Sequence, residues 1–169
     1  MRESYFHEDD YCQIEILPID NLKFCQEQAG KISEFSEKHQ NGIGWDAMYV
    51  REENPRKLSE LGITLQELRD KLLEILPEYD EVYTGYSTSR FPCANTHAFG
   101  QDDGETIFVE VNESKIITSL WVSDSMPELL YLPKYEHLLL ADWGWEFICP
   151  LSNERELKNY LAEKVFSDR

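Results

Sequence analysis

An α+β domain built on a mainly antiparallel β-sheet packed against about three helices is the fold class this chain predicts, and three observations carry it. Runs of β-branched and aromatic residues mark strands, most clearly at 106–122, where two such arms flank the polar turn residues Asn112, Glu113 and Ser114 and make a central hairpin. Three other stretches repeat apolar residues every three or four positions, the period of a helix with one buried face. The length of 169 residues suits one domain, 1–169, which buries about 70% of its unfolded surface.

Taken in order, Cys12, Ile14 and Ile16 alternate with Tyr11, Gln13 and Glu15, the two-residue period of a strand with one buried face, and Pro18 ends it. Asp20 or Asn21 caps a helix whose apolar stripe is Leu22, Cys25, Ala29, Ile32 and Phe35, with Asn41-Gly42 as a left-handed stop. Residues 43–63, broken by Gly44, Pro55 and Gly62 yet carrying Trp45, Met48 and Tyr49, read as a packed connection. Thr64 and Glu67 form a capping box before the stripe Leu65, Leu68, Leu72, Ile75 and Leu76, which Pro77 terminates.

Val82 and Tyr83 mark a short strand at 81–87, and 88–104 reads as a long loop. After the hairpin, Pro127 and Pro133 make 123–134 a linker or edge strand. Residues 137–141 and 143–148 are strand material interrupted at Asp142 and Gly144 by a hairpin turn or a bulge, and Cys149-Pro150 closes the run. Asn153 with Glu156 starts a last helix whose apolar face is Leu157, Tyr160, Leu161, Val165 and Phe166. The expected order is β-α-α-β-β-β-β-α.

Charge narrows the function classes. With 33 acidic against 16 basic residues the formal charge is −17, and the densest basic group, Arg51, Arg56 and Lys57, is offset by Glu52, Glu53 and Glu60. Such a surface repels phosphate backbones and anionic headgroups, so nucleic acid and membrane are excluded as expected partners. A 41% hydrophobic share is too rich for an acidic disordered chain. No apolar run resembles a secretory leader or a membrane span, which makes a cytoplasmic protein the expectation. Cys12, Cys25, Cys93 and Cys149 stand singly, as reduced structural thiols do.

Catalytic patterns are weak. Cys93 and His97 are the one thiol–imidazole pair close in sequence, and Arg90, Phe91, Asn95, Phe99, Asp102 and Asp103 share their loop, so residues 90–104, together with His7, define a small hydrolase-like or metal-assisted enzyme as one alternative. The cluster His7, Glu8, Asp9, Asp10 and Cys12 lacks the recurring spacing of zinc ligands; no metal or other cofactor is expected. There is no Gly-x-Ser-x-Gly elbow and no phosphate-binding glycine loop. A structural or adaptor module of a larger assembly is a further alternative. Trp143-Gly-Trp145 places two indoles on one side of a strand, with Trp121 a possible neighbour.

Small size, strong acidity and mixed α+β pattern resemble the small acidic immunity proteins that bacteria carry beside polymorphic or contact-dependent toxins. The opening Tyr-Phe-His-Glu-Asp-Asp-Tyr-Cys-Gln-Ile-Glu-Ile-Leu-Pro at 5–18 resembles the start of bacterial proteins of this kind. The resemblance implies a cytosolic single domain that neutralises a toxin by binding it, and hence a protein-binding inhibitor with a basic protein partner such as a toxin domain. The partner surface is expected to combine Asp102, Asp103 and Glu105, whose charge steers encounter, with Trp145, whose burial holds the complex.

Overall fold

The computed structural model describes residues 1–42, 44–45, 47–86 and 88–167, apart from the side chains of Asn41, Gly44 and Trp45. Among these the chain runs β1 (Glu3–Tyr5), β2 (Ile14–Pro18), α1 (Leu22–His39), β3 (Gln40–Asn41), β4 (Gly44–Trp45), α2 (Leu65–Leu72), β5 (Glu81–Tyr86), β6 (Ser89–Pro92), β7 (Thr96–Gly100), β8 (Thr106–Val111), β9 (Ile117–Val122), β10 (Leu138–Asp142), β11 (Phe147–Pro150) and α3 (Glu154–Ser167). An antiparallel sheet has the order β11-β10-β2-β9-β8-β7, and a smaller one the order β1-β5-β6, with β1 parallel to β5. The fold is the α+β arrangement expected.

Alternation within the larger sheet sends successive side chains to opposite faces, and both faces are covered. One face presents Ile14, Ile16, Val109, Leu120, Val122 and Leu140 to Leu65, Leu68 and Leu72 of α2 and to Leu157 and Tyr160 of α3. The other is shared. On its β10–β11 half Leu17, Leu139, Ala141 and Trp143 meet Cys25 and Ala29 of α1, while on its β7–β9 half Ala98, Phe108 and Trp121 meet Phe6 and Val82 of the small sheet.

The expected hairpin is β8–β9, closed by Asn112, whose Oδ1 accepts from the amides of Ser114 and Ile116 at 3.0 Å each. The capping box at Thr64 and Glu67 is formed as expected.

Several expectations are overturned, each for a tertiary reason. β2 is not half-exposed: all five residues are buried, because helices lie against both faces. Its Glu15 accepts from Arg51 at 3.0 Å and from Trp143 Nε1 at 2.9 Å. α1 ends where Gln40 turns extended and enters β3, not at a left-handed Asn41-Gly42. α2 stops at Leu72, before Ile75 and Leu76, as the chain unwinds ahead of Pro77. In 43–63, of which Ile43 and Asp46 lie outside the described residues, Leu58–Leu61 forms a 3-10 turn and Met48 is exposed.

The long loop is mostly strand: 88–104 contains β6 and β7, so the extra β elements missing from the expected order come from here, from β1, from the β3–β4 pair and from 137–148, which is the hairpin β10–β11 and not one bulged strand. Residues 123–134 are neither free linker nor edge strand but carry the 3-10 turn Pro127–Tyr131, with a second turn at Tyr135–His137. Strand 81–87 is β5, with Ser87 outside the described residues.

Candidate functional site

Because neighbouring strands of the larger sheet are antiparallel, β7, β9 and β10 finish at the same end, where β8 and β11 begin. That end therefore collects the turn 101–105, the segment 123–126 and the turn 143–146. α3, which follows β11 and runs back along the sheet, brings its last turn to the same place.

A charge cluster built on the buried Lys164 and Asp142 and the half-buried Asp124 ties these pieces together. Lys164 Nζ lies 2.6 Å from Asp124 Oδ1 and 3.0 Å from Asp142 Oδ2, and the Tyr160 hydroxyl donates to the same Asp142 oxygen. Burial pulls the ammonium's pKa down, but the two carboxylates outweigh it and hold the group above its ordinary value. Burial, reinforced by the bond to Asp142, pushes the Tyr160 phenol up. Lys164 thus stays a cation and Tyr160 a donor. Neither is poised as a nucleophile or base, and their effect is to fix the surface above them.

That surface centres on Trp145. Asp142 Oδ1 accepts the Trp145 amide at 3.1 Å, and the indole packs edge-on to Tyr160 at 6.0 Å with Lys164 Nζ 5.5 Å from its centroid. Tyr160 is itself stacked on Phe147 at 4.2 Å. On this base Trp145 remains 42% exposed. The two indoles do not share a strand face: Trp143 is buried against Glu15 with Arg51 4.3 Å over its ring, and Trp121 stacks on Phe108.

Val165 and Phe166, expected inside, are 58% and 75% exposed, because the stripe Leu157, Tyr160 continues at Lys164. Trp145 packs on the Tyr160 and Lys164 side of α3, whereas Val165 and Phe166 are exposed on other sides of its last turn. Lys164, Asp124, Asp142 and Tyr160 were not singled out from sequence; the available signal was a lysine at helical spacing from Leu157 and Tyr160.

The expected acids lie at this same end. Asp102 is exposed but engaged, with Arg2 Nη2 2.9 Å away; Arg2 also bonds the Gly100 and Glu78 carbonyls and lies 4.1 Å over the Tyr79 ring. Asp103, at φ 62°, is exposed and has no hydrogen bond or ion pair among the described residues. Glu105 accepts from Ser123 Oγ at 2.7 Å. The turn 101–105 and the turn bearing Trp145 are about four strand spacings apart, roughly 19 Å. A standard interface of about 800 Å² per partner spans that distance. Adjacent residues Ser123 and Asp124 join the two sides, one holding Glu105 and the other Lys164.

The residues behind the enzyme alternative are held by other contacts. His97 Nδ1 is 3.1 Å from Glu78 Oε1, and Arg69 clasps Glu78 with two bonds of 2.8 Å. Cys93 packs with Ala98, Phe108 and Trp121, and Cys93 and His97 both line a cleft of about 290 Å³. Burial raises the Cys93 thiol and pushes those of Cys12 and Cys25 to about 12 and that of Cys149 to about 11. Arg90 pairs with Glu3 at 3.4 Å, and His7 caps the 3-10 turn Glu8–Asp10. Among the described residues no three His, Cys, Asp or Glu side chains converge as metal ligands, and no helix is long and apolar enough to cross a membrane. A polar cleft of about 400 Å³ between β2 and β9 is lined by Arg56 and Lys57, which pair with Glu60 and Glu53.

Comparison with protein-family models, with curated proteins and with solved structures finds no match to this chain.

Proposed function

We propose that this chain is a protein-binding inhibitor of the cytoplasm that neutralises a basic partner, in the manner of a bacterial immunity protein facing its toxin. The observation that supports the reading most is the exposed Trp145, held on the Lys164, Asp142 and Tyr160 cluster and sharing its sheet end with Asp103 and Glu105. Exposed aromatics on a rigid base form the desolvated centre of interfaces, and acids around them select a basic partner and speed encounter.

The test is kinetic. With a partner recovered from the native host, Asp103→Asn combined with Glu105→Gln slows association and flattens its salt dependence, whereas Trp145→Ala chiefly speeds dissociation, by about 10-fold or more. A partner that is acidic, or wild-type rates in both variants while they remain folded, removes this reading.

A further inference from the structure

The outer edge of β11 carries an inference about how such a partner is held. The amide of Leu151 donates to the Leu138 carbonyl at 3.0 Å, so 138 and 151 form a hydrogen-bonded pair, and by antiparallel alternation 140 with 149 and 142 with 147 do too. The N–H and C=O of Ile148 therefore point away from β10, and neither has a partner among the described residues.

They open into a groove of about 460 Å³ between α1 and the start of α3, lined by Gln26, Gly30, Ser33, Glu146 and Glu156. Gly30 is a separate observation. It stands near the middle of α1, where glycine is a poor helix former, yet a Cβ built on it meets nothing within 4 Å. Nothing inside the fold calls for a glycine there. The missing side chain keeps the groove deep enough for another backbone to lie against β11. Glu146 and Glu156 give the groove negative walls, and Trp145 stands at the start of β11 beside it.

We propose that this edge is a strand-addition site: an extended, basic segment of the partner protein pairs with β11 at Ile148 as a seventh strand. The proposal rests on the partner-binding reading and names its mode. Main-chain bonds to Ile148 set the register, and lysine or arginine side chains of the incoming strand meet Glu146 and Glu156.

The full chain, labelled with 15N, is titrated with a synthetic peptide of alternating lysine and valine. At saturation amide exchange at Ile148 slows about 10-fold or more, as for an amide newly enclosed in a ladder. Gly30→Leu fills the groove and weakens peptide binding about 10-fold or more, with a Tm no lower than wild type, because the new side chain meets no protein atom at its base. Ile148→Pro, which deletes the N–H, has the same effect on binding if it folds.

Unchanged exchange at Ile148, or wild-type affinity in Gly30→Leu, overturns the proposal. So does equal binding of a lysine–glycine peptide without strand propensity, which means counter-charge alone. A dimer seen by ultracentrifugation and split by Gly30→Leu gives the groove to a second copy and overturns it as well. If Trp145→Ala weakens the native partner while Gly30→Leu does not, the strand-addition mode falls and the partner-binding reading stands.

Discussion

The two outer strands of the larger sheet solve the same physical problem differently. An edge strand presents unpaired backbone groups that invite another chain. At β7 the chain covers its own edge: the Tyr79 amide donates to the Ala98 carbonyl at 2.9 Å and the Gly100 amide to Pro77 at 3.0 Å. Arg2 and the Arg69–Glu78–His97 network then pin that cover in place. At β11 no segment among the described residues plays this part. The strand ends in Pro150, which offers no donor, and the groove beside Ile148 stays open. One edge is closed by hydrogen bonds and the other is left available, and the exposed Trp145 lies in the turn that leads into the open strand.

The largest effect is expected from breaking what supports the open side. Lys164→Met leaves Asp124 and Asp142 without their cation and should cost about 3–5 kcal/mol, read from the urea midpoint. Asp142→Asn in the same chain should return part of that loss; if the single substitution is neutral, α3 is held by its apolar stripe alone.

Next comes the closed side, through pH. Burial tends to raise the Glu78 carboxyl, but the bonds from His97 and Arg69 outweigh it and hold the group at about 2, against an ordinary 4.5. A depressed carboxylate stabilises the fold above its unfolded pKa, and this contribution is lost as pH falls through the folded value, so the window is from about 4.5 to about 2. The Glu78→Gln variant should be less stable at neutral pH by on the order of 1–3 kcal/mol and should lose less stability across that window. Parallel acid curves for the two proteins would show that the network does not hold this edge.

A smaller change sharpens the contrast. Gly30→Ala should stabilise the isolated chain by about 0.5–1 kcal/mol, raising Tm by roughly 2 °C, since helix propensity improves and nothing is displaced. A fall in Tm would mean that α1 needs the glycine for its own packing. Smallest of all, Asp103→Asn should leave stability within about 0.5 kcal/mol, because its carboxylate touches no described partner.

Legibility in the sequence followed how local each signal is. The box at Thr64 and Glu67, the hairpin around Asn112 and the stripe of Cys25 and Ala29 announce themselves through turn chemistry or spacing within a few residues, and all three are present. The acids at 102–105 read as one recognition set in the sequence, whereas Arg2, distant in sequence, claims Asp102, and Ser123 claims Glu105. Strands β6 and β7 read as loop in the sequence because their polar and aromatic residues do not alternate cleanly. They pair only because Val82, Thr84 and the β8 arm supply ladders from elsewhere.

By itself the sequence determined the α+β class, the acidity, the central hairpin and the capped helix, since these depend on composition, period and turn chemistry between near neighbours. Only the tertiary structure decided that turns 101–105 and 143–146 lie at one end of the sheet, that Lys164 is buried and Phe166 exposed, and that β7 is sealed while β11 is open. Strand order and partner choice across 40 or 100 residues are set by which faces pack, and no local pattern records that.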